Sequence, residues 1–235
     1  MSGVPTARIS REVDGERVEG VTLPVFIRNG KDYFLTDLEI YADGSIWCWE
    51  WVDLAGLEAK LVTGWVATSF EPGARASVHH LGSWKFADPQ SWVKPDWLLG
   101  EIADAIDTLN GRPDSTGRCL LALDQYLQTR SETNQAALGA AYEAIPVHLR
   151  RYALGDMDAK DRPLRVLCAG IGGPLDYPGG TTTTVTEQMH QQALDYFAGR
   201  QQAKENGRDA PILTGQKPPS RQLSTWTRLS TQEGG

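Results

Sequence analysis

The chain is poor in cysteine, and its three cysteines, Cys48, Cys119 and Cys168, lie far apart. They form no CxxC pair and no zinc-ligand spacing, which excludes a disulfide framework and a cysteine zinc site. Each sits in an apolar segment, where a free cysteine behaves as a small hydrophobe. Long apolar runs are also missing. None approaches the roughly 18–20 residues of a membrane-crossing helix, so a membrane partner is not expected. The opening residues, MSGVPTARISREVDGERVEG, have no apolar signal-peptide core, and a cytoplasmic location is the expectation. Catalytic signatures are absent as well. There is no GxxxxGK[ST], GxSxG or HExxH, and no motif names a cofactor or a metal.

Positive charge is scarce in the body. Residues 1–94 carry 9 basic and 13 acidic side chains, residues 95–199 carry 8 and 14, and residues 200–235 carry 6 and 3. An acidic body disfavours salt-dependent binding of nucleic acid through the folded part. Tryptophan, by contrast, is abundant. The chain has eight, and seven of them precede residue 98.

The pattern predicts an α+β fold. An N-terminal antiparallel β-sheet meander with a short helix is followed by a mostly helical C-terminal region and a disordered tail. The expected divisions are a flexible N-terminus at 1–19, a Trp-rich β module at 20–94, a helical region with one short strand at 95–204, and the tail at 205–235. Asn29-Gly30 and Asp43-Gly44 signal two hairpins. DLAGLEAKLVTG reads as a helix capped by Asp53 and stopped by Gly64. KPDWLLGEIADAIDTLNG opens the second region, with Asp96 as cap and Leu98, Ile102, Ile106 and Leu109 at helical spacing. Two more helices follow, GRCLLALDQYLQTR and ETNQAALGAAYEAI. LRVLCAGI, residues 164–171, reads as the short buried strand. Thr184 and Glu187 have capping-box spacing before a last helix. The tail is polar, with Trp226 as a lone aromatic that can serve for docking.

SIWCWEWV places Trp47, Trp49 and Trp51 at alternate positions of an expected strand. With two-residue turns at both hairpins, Ile40 faces Trp47, Leu38 faces Trp49, Ile27 faces Asp32 and Val25 faces Phe34. One face then gathers Val25, Ile27, Phe34, Leu38, Ile40 and the three tryptophans, which predicts that Trp47 and Trp49 are core residues. Trp51, at the end of the stripe, is left as the candidate ligand-binding aromatic. The opposite face gathers Asp37, Glu39 and Glu50, with Asp37 directly across from Glu50. Carboxylates so placed perturb each other's protonation or share a cation, so these three are candidate catalytic residues, with His79 or His80 as a base. Because neighbours in a strand point to opposite faces, only one of the two histidines can join a given site.

Two further segments carry possible chemistry. AGIGGPLDYPGGTTTT is rich in glycine and hydroxyl groups ahead of a helix, so Gly172, Gly173 and Thr184 are candidate anion- or nucleotide-binding residues. LGDMDAKDRP holds Asp156, Asp158 and Asp161 among arginines and reads as a salt-bridged turn. The function these features favour is that of a binding or interaction protein that uses the aromatic-rich β module to hold a protein or peptide. A carboxylate-based hydrolase or transferase, with or without a metal, and an anion or nucleotide binder using the loop 170–186 are the alternatives.

Overall fold

The computed structural model describes residues 7–155, 160–177 and 180–205. Asp156, Asp158 and nearly all of the expected tail lie outside them.

The fold is α+β, as the pattern predicts. An antiparallel sheet is built on two long strands, β2 (Glu16–Asn29) and β3 (Asp32–Tyr41), preceded by β1 (Arg8–Val13). The expected flexible N-terminus is therefore corrected from Arg8 onward. Asp14 (φ 53°) and Gly15 (φ 83°) form a two-residue turn with both residues left-handed, and Val13 pairs with Glu16. β4 (Ile46–Trp47) and β5 (Trp51–Val52) extend the sheet at one end, and β6 (Val66–Ala67), β7 (Arg75–Val78) and β8 (Gly82–Lys85) extend it at the other.

Both expected registers are corrected. At the first hairpin the turn residues are Gly30 (φ 64°) and Lys31, and Ile27 pairs with Phe34. This shifts the pairing by two residues and leaves the faces unchanged. At the second, Ala42, Asp43 and Gly44 form a three-residue loop. It is closed by Tyr41 N–H to the Ser45 carbonyl (3.0 Å) and Gly44 N–H to the Tyr41 carbonyl (3.0 Å), with Gly44 at φ 84°. Ile40 therefore pairs with Ile46, not Trp47, and a one-residue slip turns every side chain over.

Buried Val25, Ile27, Leu38, Ile40, Ile46 and Cys48 form the core face. Trp47 and Trp49 do not. Nor is SIWCWEWV one strand, because the chain reverses at Cys48–Trp49–Glu50 and pairs Trp47 with Trp51. Trp49 is 38% and Trp51 51% exposed.

Two helices cover the core face. α1 (Leu54–Val62) is capped by Asp53, whose carboxylate accepts the Gly56 N–H at 2.7 Å. α2 (Pro95–Leu109) buries Leu98 and Ile102 against the sheet. Its cap is Lys94 rather than Asp96, which lies in the first turn, where its charge suits the helix dipole. The second core comprises α3 (Ser115–Gln128), α4 (Glu132–Glu143), α5 (Val147–Arg150), α6 (Arg162–Ala169), α7 (Glu187–Glu205) and a hairpin of β9 (Pro174–Tyr177) with β10 (Thr181–Thr184). The two cores thus divide after α2, not before it. Residues 164–171, read as a strand, are mostly α6. Pro163 starts this helix, and Leu164 and Leu167 share its buried side.

α2 also makes the joint between the cores. Asp104 accepts the Ser115 N–H (2.7 Å) and hydroxyl (2.5 Å) at the start of α3. Glu101 meets His148 Nε2 at 2.5 Å, and Trp97 stacks on the His148 ring at 4.5 Å. Burial outweighs the Ser115 and Arg118 contacts and raises the Asp104 carboxyl above its ordinary value. Just above the ordinary carboxyl range, the folded chain therefore holds a proton that the unfolded chain has released. Stability then falls as pH rises through that window. Asp104→Asn is expected to flatten this slope in urea melts run across about pH 3–7, from roughly one unit below the ordinary carboxyl values to well above them. Asp104→Ala leaves buried Ser115 without its acceptor and is expected to cost about 1–3 kcal/mol.

Candidate functional site

The sheet has a waist. On the outer edge of β2, β1 pairs residues 16–21 and β6 pairs residues 26–27. On the outer edge of β3, β7 pairs residues 32–35 and β4 pairs residues 39–40. At the rung where Pro24 faces Asp37, only β2 and β3 are paired among the described residues. Proline suits this position because no neighbouring strand is there to receive an N–H. Tyr41 donates its N–H toward the β4 side, and strand alternation aims the main chain of Asp37 to that same side. The gap between β4 and β7 therefore exposes a short stretch of sheet edge.

A cavity of about 370 Å³ occupies this gap, lined by Phe34, Leu35, Thr36, Trp49, Ser77 and His79. Trp49 stands on its rim. Its φ is 69°, a left-handed backbone that costs an L-residue roughly 1–2 kcal/mol. Its ring leans on Phe34 at 5.4 Å and meets Trp65 edge-on at 6.2 Å. A bulky residue held in this conformation and still exposed marks a place where packing alone does not explain the side chain.

His79 and His80 occupy the β7–β8 turn rather than a strand, with Leu81 N–H bonded to the Val78 carbonyl at 3.1 Å and His80 at φ 57°. Their rings lie 3.7 Å apart, so they do not point to opposite faces, and His79 is the one that lines the cavity.

The expected carboxylate cluster does not assemble. The Asp37 side chain is exposed and makes no ion pair or hydrogen bond among the described residues. Glu39 accepts the Tyr41 hydroxyl at 2.7 Å. Glu50 pairs with Lys60 on α1. The register slip and the reversal at Trp49 carry Glu50 away from Asp37. Among the described residues, no group of three or more His, Cys, Asp or Glu side chains is arranged to hold a metal ion.

Trp51 lies at the other end of the sheet, across from the core face. Its ring is 5.1 Å from Trp47, and the Arg11 guanidinium sits 4.4 Å from Trp51 and 4.8 Å from Tyr41. Arg11 also binds Asp43 at 2.5 Å and the Ser45 hydroxyl at 2.8 Å. Burial alone would raise the Asp43 carboxyl, but the bonds from Ser45 and Arg11 hold it below the usual carboxylate range. This aromatic surface is thus tied down by the protein's own cation, an anchor for β1.

The glycine loop is spent on packing. Gly172 N–H binds the Val185 carbonyl (2.9 Å) and Gly173 N–H binds the Gly170 carbonyl (3.1 Å), so neither amide is presented to an anion. Thr184 is in β10, opposite Pro174, and the hydroxyl that caps α7 belongs to Thr186, which accepts the Met189 N–H. Asp161 accepts the Tyr142 hydroxyl at 2.7 Å. A second cavity of about 300 Å³, between α4, α6 and β9, is lined by Gly139, Tyr142, Arg165 and Cys168 among others. Burial lifts the Cys168 thiol to about 12, far from a reactive thiolate.

Sequence reasoning missed Trp49 as a site residue because it assumed an unbroken strand through residue 52. Three aromatics at alternate positions, in a segment with no turn signal, give no hint of the reversal.

Among the described residues, no helix is long and apolar enough to cross a membrane. No curated protein matches the chain, and no solved structure does. Residues 8–113 match the family model of a domain of unknown function (DUF7638), and residues 114–208 match that of a second domain of unknown function (DUF7639), so that the two matches meet between α2 and α3, where the two cores divide.

Proposed function

We propose that this protein is a binding module that holds a peptide segment of a partner at the waist of its sheet. The observation that carries this reading is Trp49, strained and half-exposed on the rim of a cavity beside an open strand edge. Phe34, Leu35 and Trp49 offer apolar surface, Thr36, Ser77 and His79 offer polar groups, and the Asp37 main chain offers an N–H and a carbonyl to an extended peptide. The gap spans about three residues of β3, or roughly 10 Å, which suits one anchoring side chain and its flanking peptide groups.

An array of random peptides probes this directly. The wild-type chain is expected to retain a set sharing an apolar or aromatic residue, and Trp49→Ala is expected to lose that set by tenfold or more, as hot-spot tryptophans do. Trp51→Ala is expected to keep it. Circular dichroism confirms that both variants are folded. Loss in Trp51→Ala with retention in Trp49→Ala would move the site to the Arg11 face, and an array with no retained peptide would end the proposal.

A further inference from the structure

We propose that the cavity between α4, α6 and β9 is a second binding site, which takes a small monocarboxylate with a compact apolar body and holds its carboxylate on Arg165. The cavity belongs to the second core and shares no lining residue with the waist of the sheet. Its volume of about 300 Å³ lies at the lower end of the range for small-molecule sites. Three features of its lining lead to the ligand.

The first is Arg165. It lines the cavity, half-buried, and donates to the main-chain carbonyl of Asp176, but it makes no ion pair among the described residues. A guanidinium keeps its charge in any protein setting and offers several N–H donors in one plane. One bond to a carbonyl leaves most of them open. The acids of the lining are engaged elsewhere. Glu143 pairs with Arg150 at 2.7 Å, and Asp176 accepts the Thr182 hydroxyl at 2.6 Å. Arg165 is thus the cation of this lining, without a counter-ion, and a carboxylate is a group that its planar fork matches.

The second is Gly139. It lies inside α4, where glycine is the poorest helix former after proline, and the helix uses alanine at 136, 137, 140 and 141. Backbone geometry does not ask for glycine, because its φ is not positive. Packing does not ask for it either, because a Cβ would meet nothing within 4 Å. What the missing side chain supplies is room, since Gly139 is part of the cavity wall. An unfilled cavity costs stability, so a helix that gives up propensity to keep one open is accounted for by an occupant.

The third is the rest of the wall. Ala169, Pro174, Leu175 and the Tyr142 ring are apolar, which suits a hydrocarbon body. The Tyr142 hydroxyl proton is already committed to Asp161 at 2.7 Å. Glu143 and Asp176 add negative charge beside the single guanidinium, which disfavours phosphate or a dicarboxylate. One positive charge and an apolar wall therefore select an acid with one carboxylate.

The test titrates the full, isotope-labelled chain with sodium benzoate and with sodium hexanoate through the millimolar range, at fixed ionic strength, and follows the backbone amides by NMR. Saturable shifts clustered at residues 139–143, 165–169 and 174–176 are expected for at least one of the two acids. Benzamide keeps the ring and removes the charge, and it is expected to bind roughly tenfold or more weakly than benzoate, the loss of one charge-assisted pair. Arg165→Gln is expected to weaken the acid by a similar factor. Gly139→Leu tests the site without touching Arg165. It is expected to stay folded, because its Cβ has room and leucine suits a helix, and to abolish the shifts by filling the cavity. Circular dichroism reads the fold of both variants. No saturable shift with either acid, a cluster elsewhere, benzamide binding as tightly as benzoate, or binding that Gly139→Leu leaves intact would overturn the proposal. Inorganic phosphate that binds as tightly as the better acid would overturn it too.

Discussion

Ile46→Ala is expected to lower folding stability by about 2–5 kcal/mol, and Trp51→Ala by only about 1–2 kcal/mol. The order reverses what side-chain size suggests. Ile46 is fully buried beside Ile40, among Leu38, Leu57 and Ile102 of the sheet–helix core. Removing its methyl groups leaves a void that two flanking strands and two helices cannot easily close. Trp51 is half-exposed, and what it loses is one ring contact each with Trp47 and Tyr41 and the overlying Arg11. Urea denaturation, with an unchanged slope to confirm two-state unfolding, measures both. A larger loss for Trp51→Ala would mean that the tryptophan face is the core and that the three-residue loop at Ala42–Gly44 is wrong.

That loop explains how much of the fold the sequence made legible. The existence of both expected hairpins, the cap at Asp53, the stop at Gly64 and most helices followed from local chemistry. The registers did not, because a glycine after Asn or Asp signals a turn without fixing where it sits. This chain uses three solutions. Asp14-Gly15 fills a two-residue turn, Gly30 is the first residue of one shared with Lys31, and Gly44 is the third residue of a three-residue loop. The choice depends on which side chains the long strands must bury. Shifting the first hairpin by two residues preserves the faces, so Val25, Ile27, Leu38 and Ile40 were assigned to the core correctly. Shifting the second by one reverses them and puts Trp47, with its partner Trp51, on the face opposite the core. Asp14-Gly15 carries the same dipeptide signal between flanks that are charged rather than apolar.

The candidate site was less legible still. His79 was marked as a possible functional residue, and the structure sets it beside the cavity. The gap itself arises because β4 and β7 approach the same edge of β3 from opposite ends, one antiparallel and one parallel. No local pattern encodes such a meeting, since it joins segments about 30 residues apart in sequence through the register of a third strand. Pro24, inside an apolar strand, was the one sequence signal of an open edge.

Gly173→Ala is expected to be the most damaging single methyl addition, costing about 3 kcal/mol or more. α6 ends at Gly170, whose φ of 68° turns the chain, and Gly170–Gly173 fold the backbone directly onto the end of that helix. A Cβ at Gly173 would collide with the Ala169 carbonyl oxygen and lie 2.8 Å from its carbon. These are backbone atoms, held by the Gly170–Val166 and Val185–Gly173 hydrogen bonds, so no flexible side chain can swing aside. Gly139→Ala supplies the control within the same core. Its Cβ meets nothing within 4 Å, and it lies inside α4, so it is expected to stabilise by about 0.5–1 kcal/mol through helix propensity. The same pair separates packing from anion binding as the reason for a glycine-rich loop. Packing predicts that millimolar phosphate leaves the melting temperature of the wild-type chain unchanged, while Gly173→Ala lowers it sharply and Gly139→Ala raises it. A phosphate-dependent rise that Gly173→Ala abolishes without otherwise lowering stability would instead make the loop an anion site.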